Sequence, residues 1–201
     1  HRDLKPENVF LGRPRVVGLP FLVKVLDFGV AKIMSEARAA TIAVGTPLYM
    51  APEQTSTSAD IGPSVDVWAL GLLVFRLLTG HHYWISAAGA DPNLGALWRE
   101  VLIDPLVSAS ERAGALGVAA LLPPGFDAWF ARCVVRELPE RFGEAGAAYA
   151  ALEPLFEAAL AQPSHTVATS GIVTAEAPRT GGSEQHVHRS PSVSEALTIV
   201  A

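Results

Sequence analysis

Apolar residues recur along this chain with two different periods, and the switch between them separates an extended start from a helical remainder. Val9-Phe10-Leu11 and Leu22-Val23-Lys24-Val25-Leu26 are short runs of strand-forming residues, and Gly12, Pro14, Gly18 and Pro20 lie between them. That combination predicts a β-hairpin with a long connection. Residues 30–62 keep no period and are rich in Ala, Ser, Thr, Gly and Pro, as an ordered but adjustable loop would be. Pro63-Ser64 then offers a helix start, with Ser64 as N-cap and Asp66 in the first turn. Gly80 offers the stop. The helix between them is apolar nearly all round, which predicts a central, buried position.

Residues 93–103 read as a shorter helix stopped by Asp104-Pro105, and residues 108–116 as another. After Pro123-Pro124-Gly125, the apolar side chains Phe126, Trp129, Phe130, Cys133 and Val134 fall at i, i+3, i+4, i+7 and i+8, one face of a helix. Tyr149, Leu152, Phe156 and Leu160 give the last helix an apolar face in the same way, despite Pro154. From Gln162 onward the large apolar side chains thin out. A segment of that composition cannot bury enough surface to offset chain entropy, so residues 161–201 are expected to form a disordered, low-complexity tail.

The chain has 201 residues, 50% hydrophobic and 17% charged, enough for one domain with a substantial core. A net charge of −5 and a pI of about 5.7 give no basic surface for nucleic acid. One cysteine, Cys133, excludes an internal disulfide framework and fits a reducing, cytoplasmic setting. Within its apolar pattern a core thiol is the expected role. The most apolar run, residues 65–78, carries Asp66 and Arg76 and is shorter than the roughly 20 residues of a membrane span. A mean hydropathy of +0.30 reflects Ala, Val and Leu content. His186 and His188 have no third ligand beside them and make a poor zinc set. The chain does not open on Met and shows no signal peptide, so it reads as a piece of a longer protein.

Five ordered motifs carry the chemistry: His1-Arg2-Asp3-Leu4-Lys5-Pro6-Glu7-Asn8, Asp27-Phe28-Gly29, Gly45-Thr46-Pro47, Ala51-Pro52-Glu53 and Asp66-Val67-Trp68-Ala69-Leu70-Gly71. In this order and content the chain resembles the serine/threonine branch of the eukaryotic-type (Hanks-type) protein kinases. The run Gly45-Thr46-Pro47-Leu48-Tyr49-Met50-Ala51-Pro52-Glu53-Gln54 is similar to bacterial members. The resemblance covers about residues 1–160. It implies an α+β fold: a mainly helical kinase large lobe with a short β-hairpin, starting at the catalytic loop and lacking the N-terminal lobe. Aminoglycoside- and choline-kinase-type phosphotransferases share a His-x-Asp…Asn loop but lack Ala-Pro-Glu and the Asp-x-Trp-x-x-Gly helix, both present here.

Phosphoryl transfer from ATP asks a protein for positioning, charge neutralisation and a proton acceptor. By resemblance, Asp3 orients the hydroxyl of a Ser or Thr on a protein substrate and accepts its proton. Lys5 reaches the γ-phosphate, and Asn8 and Asp27 are the Mg2+ ligands. Lys5 also points to Ser/Thr over Tyr, as does Thr46, whose hydroxyl by resemblance bridges toward Asp3 and Lys5. Arg2 before Asp3 marks, in the family, kinases switched on by phosphorylation of the activation segment. Ser35, Thr41 and Thr46 are the candidate acceptors, Thr41 first, and a polar, solvated loop without a phosphosite is the alternative. Glu53 should pair with Arg141, although Leu138 stands where the family usually has Asp. Asp66 should hydrogen-bond the catalytic-loop backbone near His1 and Arg2.

The Gly-rich loop, the lysine that pairs the α/β-phosphates and its Glu partner are not in this sequence, nor are the hinge and the two helices that precede the catalytic loop in the family. The missing N-terminal lobe is thus an expected partner, and part of the helix after Ser64 should be uncovered. Two readings follow: a piece of an active Ser/Thr kinase that is inactive alone, or a truncated kinase-like module acting without catalysis. Sequence upstream of His1 discriminates them.

Overall fold

The structure, a computed structural model, describes residues 1–14, 21–27, 47–56, 61–87 and 93–161. The expectations for the Phe28-Gly29 pair, Ser35, Thr41, Gly45, Thr46 and the tail with His186 and His188 fall outside them. A compact unit spans His1–Pro163. It is α+β: one two-stranded antiparallel sheet followed by helices.

Strands β1 (Val9–Gly12) and β2 (Leu22–Val25) pair with Val9 opposite Val25 and Gly12 opposite Leu22. This is the hairpin predicted from the two β-rich runs. Its apolar side chains are largely open: Phe10, Leu11, Leu22 and Val23 are all exposed.

Helix α1 (Ser64–Thr79) is the core element. Val65, Val67, Trp68, Leu72 and Phe75 are buried along it. Pro63, not Ser64, is its N-cap, and no side chain caps it there. Proline is pre-set for an early helical position, so Ser64 starts the helix itself. Gly80 ends it as predicted: with φ of 75° it takes the left-handed conformation, and its N–H reaches the Arg76 carbonyl. The expected uncovered face is present. Leu70 and Val74 are only half-buried, and Leu77, on the same stripe, is 77% exposed.

Helices α2 (Leu94–Leu102) and α3 (Ala109–Ala115) are each started by a side-chain cap. Asn93 Oδ1 accepts from the Ala96 N–H, and Ser108 Oγ accepts from the Glu111 N–H. Helix α4 (Phe126–Cys133) buries Phe126, Trp129, Phe130 and Cys133, the face predicted, and Val134 stays buried just past its end. Burial pushes the Cys133 thiol up to about 12, consistent with a core side chain.

Helix α5 (Ala145–Ala161) turns inward only part of the face its large residues predict, Leu152 and Phe156, with Ala148 added to it. Ala148 and Leu152 are buried, whereas Tyr149 and Leu160 are exposed. The cause is a close approach: Trp129 Nε1 donates to the Ala148 carbonyl at 2.8 Å, which a small residue at that position permits. An aromatic cluster joins these helices. Tyr83 lies 4.9 Å from both Trp84 and Phe130 and packs edge-on to Phe75, within the range of favourable ring pairs. None of the helices described is long and apolar enough to cross a membrane.

Candidate active site

The segment ahead of β1 is tied down at almost every residue. Pro6, with its fixed φ, opens a 3-10 turn over Pro6–Asn8, closed by the Asn8 N–H on the Lys5 carbonyl at 3.0 Å. Asn8 is buried. Its amide nitrogen donates to the Asp3 carbonyl at 2.8 Å and lies 3.3 Å from Asp3 Oδ2. Lys5 Nζ sits 2.8 Å from the same carboxylate oxygen. Asp3, Lys5 and Asn8, predicted from the motif alone, therefore form one cluster.

Asp27 is placed by the hairpin. The Leu26 N–H donates to the Asn8 carbonyl at 2.8 Å, continuing the strand pairing to the residue before Asp27. His1 closes the arrangement. Its Nδ1 accepts from the Asp3 N–H at 3.3 Å, and its Nε2 lies 2.8 Å from the Leu26 carbonyl. With Nδ1 accepting, the proton sits on Nε2, which then donates to that carbonyl. His1 thus links the residue chain of Asp3 to that of Asp27, a role not assigned from the sequence although the residue opens the motif. Asp27 itself is exposed and has φ of 56°. Aspartate is among the residue types that accept this left-handed region.

Arg2 is the less expected case, with φ of 66° at a long unbranched side chain. Such backbone persists only where surrounding contacts over-determine it. Here they do so on both sides. The Arg2 N–H donates to Asp66 Oδ1 at 2.8 Å, while the main-chain nitrogen of His1 lies 2.7 Å from Asp66 Oδ2. The Arg2 carbonyl accepts from Gln54 Nε2 at 2.9 Å. Asp66 thereby does what the motif predicted, and a carboxylate on an otherwise apolar helix is supplied with the donors it requires. Gln54 was not singled out from the sequence. The available signal was its spacing, three residues after Ala51 across Pro52-Glu53.

The segment ending in Ala-Pro-Glu is anchored to the helices from below. Glu53 and Arg141 form a two-pronged ion pair, Nη1 to Oε1 at 2.5 Å and Nη2 to Oε2 at 3.2 Å. Their side chains are 8% and 0% exposed, so the predicted pair is buried. Trp84 Nε1 donates to the Leu48 carbonyl at 2.8 Å. Arg76 reaches Tyr49 Oη at 3.3 Å and the His82 ring at 2.6 Å. Burial and the Arg76 charge hold the His82 pKa below its ordinary value, which keeps an unprotonated ring nitrogen available to the guanidinium. Burial raises that of the Tyr49 hydroxyl.

In chemical terms the cluster offers one carboxylate beside a cation and a neutral carboxamide, with the Asp27 carboxylate on the strand end next to Leu26. With the Asn8 nitrogen committed to Asp3, its Oδ1 is the atom left for an external cation. A carboxamide oxygen and the carboxylate of Asp27 are hard-oxygen donors, the type Mg2+ takes in company with phosphate oxygens and water. Among the described residues no group of three or more His, Cys, Asp and Glu side chains gathers as a self-sufficient metal site.

Comparison with known proteins bears on the family. Residues 1–101 match the model of the protein kinase domain. The chain is 52% identical over 84 residues to serine/threonine-protein kinase Pkn1 of Myxococcus xanthus, a stretch of 40% of this chain and 12% of that protein. It is 37% identical over 103 residues to the probable serine/threonine-protein kinase nek3 of Dictyostelium discoideum, covering 51% of this chain and 8% of the relative. It is likewise 37% identical over 91 residues to human cyclin-dependent kinase-like 4, covering 45% and 22%. The matched stretch is less than a quarter of each relative's length. With half of its residues in the family model, and its five motifs in order, the chain belongs to the protein kinase domain family, in its Hanks-type serine/threonine branch.

Proposed function

We propose that the protein carrying this chain transfers the γ-phosphate of ATP to Ser or Thr hydroxyls of protein substrates, and that Asp3, Lys5, Asn8 and Asp27 are its phosphoryl-transfer residues. The observation that carries this reading is the Asp3 carboxylate held between Lys5 Nζ and the Asn8 amide in a backbone fixed by Asp66. Asp3 aligns the attacking hydroxyl and takes its proton on a carboxylate oxygen. Lys5, whose partly exposed side chain lies beside Asp3, offsets charge on the transferring group. The Asn8 Oδ1 and the Asp27 carboxylate hold the metal. Bound Mg2+·ATP supplies the phosphoryl group and neutralises its charge. A Lys two residues after Asp3 favours Ser and Thr as acceptors. A cytoplasmic setting fits the single, buried thiol.

A second reading, a kinase-like module that transfers no phosphate as these 201 residues stand, has its own support. The hairpin and α1 leave apolar side chains open, including Phe10, Leu11 and Leu77. The sequence contains neither the Gly-rich loop nor the Lys–Glu pair that cover and clamp ATP. The two readings meet in one assay of phosphate transfer from ATP to a generic Ser/Thr substrate over a magnesium titration. The full-length protein should be active, its Asp27→Ala variant inactive at every magnesium concentration, and residues 1–201 alone inactive. Wild-type activity in Asp27→Ala removes Asp27 as the ligand. Robust, Asp3-dependent transfer by residues 1–201 refutes the inference that they lack essential machinery.

A further inference from the structure

Gln54 makes two hydrogen bonds with opposite ends of one carboxamide, and they lead to different parts of the site. Its Oε1 accepts from the Ala51 N–H at 3.0 Å, and its Nε2 donates to the Arg2 carbonyl at 2.9 Å. The first is local, the reach of a third-position glutamine back to the start of the 3-10 turn Pro52–Thr55. The second crosses to the residue immediately before Asp3. We infer that Gln54 is a positioning residue for phosphoryl transfer: it holds Arg2 in its left-handed backbone and so sets the direction in which Asp3 leaves the chain. The inference rests on the kinase reading above.

Contacts on both sides of the Arg2 Cα keep its φ at 66°. Relaxation to negative φ would rotate the peptide units on either side of its Cα. Asp66 restrains the N-terminal side by accepting from the N–H, and Gln54 restrains the C-terminal side by donating to the carbonyl. That carbonyl belongs to the peptide unit shared with Asp3. Losing the Asp66 contact would also disturb His1. Losing the Gln54 donor disturbs only the Arg2–Asp3 unit, and hence the Asp3 carboxylate that Lys5 and Asn8 face. Through Ala51 the same side chain also ties that unit to the end of the segment closed by the Glu53–Arg141 pair. The Gln54 amide thereby links Ala51 to the peptide unit that leads into Asp3.

A purely local cap and a positioning role separate on the variant Gln54→Glu. Glutamate serves this cap as well as glutamine does, so it keeps the acceptor for Ala51 but puts a carboxylate oxygen against the Arg2 carbonyl. In the full-length protein, Gln54→Glu and Gln54→Ala should each lower kcat by roughly ten- to a hundredfold, the scale on which small misplacements of reacting groups act. KM for ATP and the melting temperature of Gln54→Glu should stay near wild type. In an Asp3→Asn background either substitution should cost almost nothing further, because the group it positions is gone. Wild-type kcat in Gln54→Glu overturns the inference and leaves Gln54 as a cap. A loss that persists undiminished beside Asp3→Asn also overturns it. Neither outcome touches the kinase reading, which fails separately if Asp3→Asn alone keeps full activity.

Discussion

Arg141 carries a full positive charge at zero exposure, and all five of its N–H donors are used. Besides the two bonds to Glu53, Nε and Nη2 reach the Val135 carbonyl and Nη1 the Ser64 carbonyl, and the guanidinium lies 5.1 Å from the Trp68 ring. A guanidinium's planar fork matches this set, and an ammonium would not. Arg141→Ala leaves the Glu53 carboxylate buried without its cation, and removing one partner of a buried pair costs about 3–5 kcal/mol. The melting temperature of the full-length protein should fall clearly, and Arg141→Lys should recover little of it. An unchanged melting temperature would mean the pair behaves like an exposed one, worth about 0–1 kcal/mol. At this scale the sequence was informative where a spaced motif predicts a contact within the chain: Glu53 pairs with Arg141, and Asp66 meets the backbone of His1 and Arg2. Gln54 and the Arg76–Tyr49–His82 contact were not legible, because a neutral amide or an arginine on a helix has many equally good uses until the fold chooses its neighbours.

Among the elements, α1 and α4 pack closely at Gly71. A Cβ there would stand 2.6 Å from Cys133 Cβ and 2.9 Å from Val134 Cγ2, closer than packed atoms tolerate. Gly71→Ala must push α4 away from the core helix, and overpacking of this kind costs about 1–3 kcal/mol. Chemical denaturation of the full-length protein should show that loss without a change in the slope against denaturant; equal stability would mean the two helices separate freely. Element positions were well predicted where large apolar residues set the period, as in α1 and α4. The inward face of α5 was predicted only in part, at Leu152 and Phe156; Ala148, whose carbonyl meets Trp129, was missed because a small side chain contributes little to an apolar pattern. The start of α1 was misplaced by one residue, because proline and serine are both good at helix entrances and only the backbone shows which one is inside.

Across the whole chain the hairpin, the turn before it and α1 act together as a frame. The hairpin fixes Leu26 beside Asn8, α1 offers Asp66 to His1 and Arg2, and Arg141 holds the Ala-Pro-Glu segment against the same helix. The family and the α+β architecture were legible because five short motifs occur in one order. Residues 28–46 have no period to read in the sequence and lie outside the described residues. On the proposed function, this frame aims Asp3 at a substrate hydroxyl. Steady-state kinetics of the full-length protein and its Asp3→Asn variant, with ATP, magnesium and a Ser/Thr substrate, test it directly. The account predicts a fall in kcat of roughly 10²–10⁴-fold, the range for a lost general base, with the melting temperature little changed. Turnover close to wild type in that variant would contradict it.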